Sequence, residues 1–523
     1  MKRKAFERCL PETVGIDSQA IEAFLDALEN GGFTQMHGLM IMRHGKVCAE
    51  GWWKPFNAEL HHCCHSLSKT YTATAIGIAE YEGLLSLGDR VCDIFPEVVL
   101  PDSPKRLLQL TVRDLLVMGA GMEEEPFGYP KDWRVRFLNQ AYQHEPGTFW
   151  RYSSQATSCL SSIVERLSGQ SLVQYLTPRL FDKIGIDAQH VICRAAQDGA
   201  SLGGSGLFTT TEDNLRLMKL YMDGGVWEGE RILSERFVRD ATSCQMDTAP
   251  AHAHTPWIYE NCVGYGYQIW MCRLPGSYRA DGAYGQFCVV LPHLDMLVSI
   301  SESAYLGDKV AHSQLHLLKG LPGEAMPVHG PQATLNALFD VLLPGVAGER
   351  LAPNPEAAGR LNERLKALHV RVPKGVEGPE ALSLSLKAQD KGLSFGILYG
   401  MAKERRVYAG ADRIAVTLKD DVLHIEYEEA GEVRAFAAGL GGNYVEGTLS
   451  YAGELVSRIA ASAWWEREDR LCLSLLWHET EMENLFAVTL EEGHATLEKW
   501  IGGGVFGAQA SERAVYKYMK TGE

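Results

Sequence analysis

Several things are missing from this chain, and each absence narrows its function. No run of residues is long and apolar enough to cross a bilayer. Positive charge is in deficit: 50 Lys and Arg against 66 Asp and Glu leave a net charge of −16 over 523 residues. That balance argues against nucleic acid and against an anionic membrane surface as partners. The twelve cysteines fall without paired spacing. A chain this large needs no covalent staples, so cytosolic thiols are the simpler account. The basic start, Met1-Lys2-Arg3-Lys4, is followed by neither an apolar stretch nor a small-residue cleavage site, which predicts a cytoplasmic protein. No internal repeat recurs. Gly203-Gly204-Ser205-Gly206 lacks the Lys-Ser/Thr ending of a phosphate loop.

What is present is an ordinary globular composition, 46% hydrophobic and 22% charged, in a chain too long for one comfortable core. Residues 17–30 carry a capping Asp17 and an apolar stripe of Ile21, Phe24, Leu25 and Leu28, predicting a helix packed on one face. Residues 36–52 read as two strands joined by Arg43-His44-Gly45-Lys46. The centre is mixed and partly helical, strands return over 264–301, and a helix follows over 333–343. Residues 346–378, rich in Pro, Gly and Ala with one charged helix over 357–367, read as a linker. Beyond it, about eight short alternating strands with tight turns predict a meander closed into a barrel or sandwich. The expected division is therefore 1–345, a linker over 346–378, and an all-β domain over 379–523.

The chemistry centres on Ser66-Leu67-Ser68-Lys69, where a serine is followed three residues later by a lysine, at the head of a small-residue run closed by Gly83. Positions i and i+3 share a helix face, so the Lys69 ammonium can lie beside the Ser66 hydroxyl. A serine with a neighbouring amine able to take its proton is an activated nucleophile. Alone, the four residues fit a serine-capped ordinary helix as well. His61-His62-Cys63-Cys64-His65 looks like a metal cluster, but on a strand its side chains alternate and form no compact tetrahedral set. No metal and no cofactor are expected. Phe127, Tyr129, Trp133 and Trp150 are candidates for an acyl-pocket wall, or for plain core packing.

Further stretches accompany the motif in order: Leu85-Ser86-Leu87-Gly88-Asp89-Arg90-Val91, Thr111-Val112-Arg113-Asp114-Leu115-Leu116, Pro146-Gly147-Thr148-Phe149-Trp150-Arg151-Tyr152-Ser153-Ser154, Gly203 to Asp213, and the strand-like Gly264 to Trp270 and Gly285 to Pro292. Together they resemble the serine β-lactamase and penicillin-binding-protein superfamily, on the side of class C β-lactamases and their esterase and amidase relatives, over roughly residues 10–345. The resemblance implies an α/β sandwich, an antiparallel sheet flanked by helices with an inserted helical lobe. It implies Ser66 as nucleophile, Lys69 and Tyr152 as a proton relay, and the backbone N–H groups of Ser66 and Ala283 as oxyanion donors. A phenol beside a cationic lysine is expected to lose its proton more easily than one in water. Similarity of Gly282-Ala283-Tyr284-Gly285-Gln286 to aminohexanoate-oligomer hydrolases places Ala280-Asp281-Gly282 at the strand motif. Ser154, Asp281, Gly282 and Tyr284 are then substrate-binding candidates.

Two anchors depart from the β-lactamase pattern. The strand triad has neither Lys/His nor Thr/Ser, and Tyr-x-Asn has become Tyr152-Ser153-Ser154. Asp281 would repel a substrate carboxylate if it faced the pocket. The expectation is a serine hydrolase acting on a small ester or amide, with no nucleic-acid or membrane partner and with homo-oligomerisation through the C-terminal domain. Alternatives are a true β-lactamase or D-Ala-D-Ala peptidase, and a catalytically silent binding or scaffold protein.

Overall fold

The computed structural model describes residues 5–31, 34–252, 256–304, 330–373, 375–397, 408–502 and 514–521. Asp17 caps helix Ser18–Asn30 by accepting the Gln19 N–H at 2.9 Å, and the predicted apolar stripe is buried. Strands Thr34–Arg43 and Lys46–Trp52 form the expected hairpin, turning at His44 and Gly45, both at positive φ. A seven-stranded sheet runs in the order 7–8, 46–52, 34–43, 296–304, 286–291, 278–282, 270–271. It is antiparallel except for the first pairing.

Helix Ser18–Asn30 and the helical stretch 330–342 contribute side chains to one core beneath this sheet. A second core joins helices Ser68–Tyr81, Ser154–Ser168 and Thr211–Met222 with the inserted lobe. In the linker stretch, helix Pro355–Lys366 packs Leu361 into the first of these cores, and its Arg364 pairs with Glu29 at 2.8 Å.

The C-terminal strands form a ten-stranded sheet, nine of which close into a barrel as Gly439 bridges Ser462, while Val445–Thr448 pairs only with Arg458–Arg467. Alternation of buried and exposed residues, clearest along Ala411–Lys419 and Val422–Glu429, is what a half-buried strand requires. Sequence reading missed strands Leu382–Ala388, Glu432–Gly439 and Ala514–Lys520. It also assigned a strand to 393–399, of which 393–397 is irregular and 398–399 lie outside the described residues. The missed strands lie mostly at the surface, burying only one to three residues each. The barrel packs on the other unit: Cys63 and Phe208 belong to its core, and Leu476 belongs to that beneath the sheet.

Candidate active site

Ser66 lies on a short 3-10 turn, His65–Leu67, which runs into helix Ser68–Tyr81, rather than being the first residue of the α-helix. The turn is held from several sides. Strand His62–Cys63 pairs with Leu207–Thr209, and the Cys64 N–H reaches the Leu207 carbonyl at 2.9 Å. The Cys63 N–H reaches the Glu479 carbonyl of the barrel at 2.8 Å. His65 takes φ +46°, a conformation uncommon outside glycine.

Lys69 is 1% exposed. Its Nζ donates to Ser66 Oγ at 3.2 Å, to Ser154 Oγ at 3.1 Å and to the Gly204 carbonyl at 2.5 Å. It also sits 4.7 Å from the centre of the Tyr152 ring. The Tyr152 side chain lies near enough to Ser66 to interact with it, so side chains distant in sequence meet around one hydroxyl. Gly204 makes this possible: a Cβ there would stand 2.4 Å from the Ser154 carbonyl oxygen, and any side chain would lift the loop off Lys69.

Tyr152 precedes Ser153, whose side chain caps helix Ser154–Ser168 by accepting the Ala156 N–H at 2.9 Å. Glu125, unforeseen from sequence, accepts the N–H groups of Ser154 and Gln155 at 3.2 and 3.0 Å. The Tyr152 ring stacks on Trp270 at 5.6 Å and lies 6.1 Å from Trp150. Of the proposed aromatic wall, Trp150 therefore adjoins the site. Trp133 is buried against Tyr129 in the core, and Phe127 is exposed. Burial raises the Tyr152 pKa well above its ordinary value, and the interaction with Ser66 only partly opposes this. The expected ease of losing that proton is therefore corrected. The phenol is held neutral.

Strand Tyr278–Gly282 ends against the Ser66 turn. A Cβ on Gly282 would meet the Cys64 carbonyl oxygen at 2.2 Å and the Leu67 nitrogen at 3.2 Å, so only glycine lets the Gly282–Ala283 peptide lie this close. Asp281 is paired with the fully buried Arg279 at 2.7 Å. The guanidinium offsets its charge, and the expected repulsion of a carboxylate is correspondingly reduced. Burial pushes the Asp281 pKa up, against the pull of Arg279 and Lys69. Ser154 Oγ accepts a hydrogen bond from Lys69 Nζ at 3.1 Å. Tyr284 is 2% exposed and packs its ring 5.3 Å from that of His65. This packing places it beside the Ser66 turn. His61 and His65 of the apparent metal cluster instead bind Glu479 and Glu481 of the barrel, each at 2.6 Å. Neither glutamate carries a local sequence signal, because more than 400 residues separate the partners.

Residues 24–311 match the Beta-lactamase family. The chain belongs to it. The match covers all of the sheet but its edge strand 7–8, together with the Ser66 turn, the helical lobe and the strand ending at Gly282. Among curated relatives, the 6-aminohexanoate-dimer hydrolase of Paenarthrobacter ureafaciens is 26% identical over 217 residues, 38% of this chain and 55% of that protein. The chain thus spans about half the length of that relative. Two solved structures are similar at lower identity. The octameric penicillin-binding protein homologue from Pyrococcus abyssi is 15% identical, with a TM-score of 0.46 over 97% of this chain and all of that one. A family VIII carboxylesterase is 16% identical, with a TM-score of 0.45 over 65% of this chain and all of that one. Among the described residues, no helix is long and apolar enough to cross a membrane.

Proposed function

We propose that this beta-lactamase-family hydrolase works by acyl transfer through Ser66 on a small ester or amide. The observation that carries the reading is the convergence of Lys69 Nζ, 3.2 Å from Ser66 Oγ, and the Tyr152 hydroxyl on one serine. With Lys69 as a neutral amine, Ser66 Oγ attacks the carbonyl carbon as its proton passes to the Nζ lone pair. The carbonyl electrons move onto oxygen, where the N–H groups of Ser66 and Ala283 receive the developing charge. Tyr152, neutral in the resting site, hands a proton to the departing alcohol or amine and recovers one through Lys69. Water then attacks the acyl-enzyme. The same groups act in reverse, releasing the acid and restoring Ser66.

An ester or amide suits the site better than penicillin. Neither Ala280-Asp281-Gly282 nor Ser154 offers the polar anchors that would hold the carboxylate and amide of the drug, and the Arg279 guanidinium is engaged by Asp281. The reaction class agrees with that of the relative named as a 6-aminohexanoate-dimer hydrolase. Homo-oligomerisation through the barrel, where Val433, Val515 and Met519 are exposed, belongs to the same reading and is checked by light scattering.

A fluorophosphonate probe tests the nucleophile. Wild-type protein is expected to label and Ser66→Ala to stay unlabelled; labelling that persists in Ser66→Ala rejects the assignment. Turnover of p-nitrophenyl acetate with little action on nitrocefin is the expected substrate pattern, and the reverse would favour a true β-lactamase.

A further inference from the structure

The barrel hairpin formed by strands Arg470–Trp477 and Glu483–Leu490 buries two carboxylates against the peptide leading into Ser66. Glu479 and Glu481 are 5% and 3% exposed. Taking carboxylates out of water is unfavourable unless they are paired and hydrogen-bonded, and each meets one histidine, His61 or His65.

The two pairs differ in what they touch. Glu479 is also tied within the barrel by the N–H groups of Ser457 and Arg458, at 2.8 and 3.0 Å. Its partner His61 precedes the nucleophile turn. His65 is bonded directly to Ser66, so the peptide that carries the Ser66 N–H springs from the His65 Cα, which is held at φ +46°. Its ring packs on Tyr284, the residue after Ala283. The imidazole therefore touches both segments that would supply oxyanion donors, and a barrel carboxylate holds it there.

We propose that Glu481 is a positioning residue, whose carboxylate holds the His65 ring at 2.6 Å and so fixes the turn that aims the Ser66 N–H and hydroxyl. The C-terminal barrel is then part of the active-site framework. This inference rests on Ser66 being the nucleophile. Burial by itself would discharge His65, but the charges of Cys63 and Glu481 and their hydrogen bonds outweigh it and hold its pKa up, at about 10. The imidazolium in turn draws Glu481 below its ordinary value, against the upward push of burial. The titratable groups facing His65 are Cys63 and His62 on its own segment, Tyr284 beside it, and Glu481 from the barrel.

The test uses the full chain, p-nitrophenyl acetate turnover and three variants. In Glu481→Gln, kcat is expected to fall about tenfold or more while KM stays within about threefold. Its descending alkaline limb should begin about one pH unit or more below that of the wild type. Glu479→Gln, which breaks the neighbouring pair, should keep kcat within about twofold. A wild-type kcat and pH profile in Glu481→Gln overturns the inference, and so does an equal kcat loss in Glu479→Gln, which would mean general loosening of the seam. Ser66→Ala separates the two readings. If it still turns over ester, the nucleophile assignment fails; if it is inert while Glu481→Gln behaves as wild type, only the positioning role fails. Should Glu481→Gln not fold, the double variant His65→Gln/Glu481→Gln removes both charges together and is expected to show the same kcat loss, with wild-type kcat refuting the role.

Discussion

Gly282→Ala is the most economical way to pull the proposed oxyanion site apart without removing a functional group. The added Cβ would stand 2.2 Å from the Cys64 carbonyl oxygen and 2.9 Å from Gln286 Cβ. An ordinary carbon–oxygen contact is about 3.3 Å, so the strand and the Ser66 turn must separate by about 1 Å. The closest obstacle is backbone, not a side chain that can swing aside. Overpacking of this kind costs about 1–3 kcal/mol of stability, which a thermal melt will read as a modest fall in Tm. A displacement of about 1 Å between nucleophile and oxyanion donors costs roughly 100-fold in rate, or about 2.7 kcal/mol. The assay is kcat/KM for p-nitrophenyl acetate beside Gly447→Ala, a control with nothing nearer than 3.9 Å to the new methyl. Wild-type kcat/KM in a folded Gly282→Ala protein would refute the placement of the oxyanion donors at this strand end.

Other perturbations test the remaining parts. Tyr152→Phe keeps the stack on Trp270 but removes the hydroxyl, so kcat should drop by about 10²–10³ with Tm nearly unchanged; wild-type kcat would exclude Tyr152 from the relay. Ser154→Ala takes away one of the oxygens around Lys69 Nζ and should lower kcat by about tenfold, less than Lys69→Ala does; a deeper loss than Lys69→Ala would make Ser154 more than a support. Acid should loosen the seam between the two units. His62 and His478 are held neutral by burial, with pKa values lowered from 6.5 to about 4, and His37, 3.0 Å from His62, is shifted the same way. The unfolded chain therefore binds protons that the folded one refuses, so stability is intact above about pH 6.5 and is lost as pH falls toward 4. That amounts to about 2 kcal/mol for each of His62 and His478 by pH 5. A Tm that does not change between pH 7 and pH 5 would sink that account.

What could be read from the sequence followed local rules. The Asp17 cap, the His44-Gly45 turn and the apolar stripe on the first helix each determine their own few residues. The Ser66–Lys69 spacing needs only a helical turn to bring the two side chains together. Tyr152 and the Gly282 strand came through likeness to a family, since nothing in their own neighbourhoods says that they meet Ser66. The misses share one physical origin: contacts that chain separation hides. Arg279 could be seen beside Asp281, but only the fold shows it to be buried and the carboxylate offset. Tyr284 reads as a cleft residue from its neighbours, and only the fold shows its ring packed onto that of His65. The three overlooked barrel strands bury few of their residues, and pairing with their neighbours is what makes them strands. Glu481 reads as an ordinary acidic turn residue until the barrel brings it to the peptide preceding the nucleophile.

The central claim is a covalent bond at one oxygen. Rapid mixing with a slowly turned-over p-nitrophenyl ester, acid quenching and peptide mass spectrometry will read it directly. The account predicts an acyl adduct on the peptide bearing Ser66, formed at the rate of the p-nitrophenol burst and absent from Ser66→Ala. Steady hydrolysis with no adduct on that peptide, or an adduct on another residue that persists in Ser66→Ala, would contradict it.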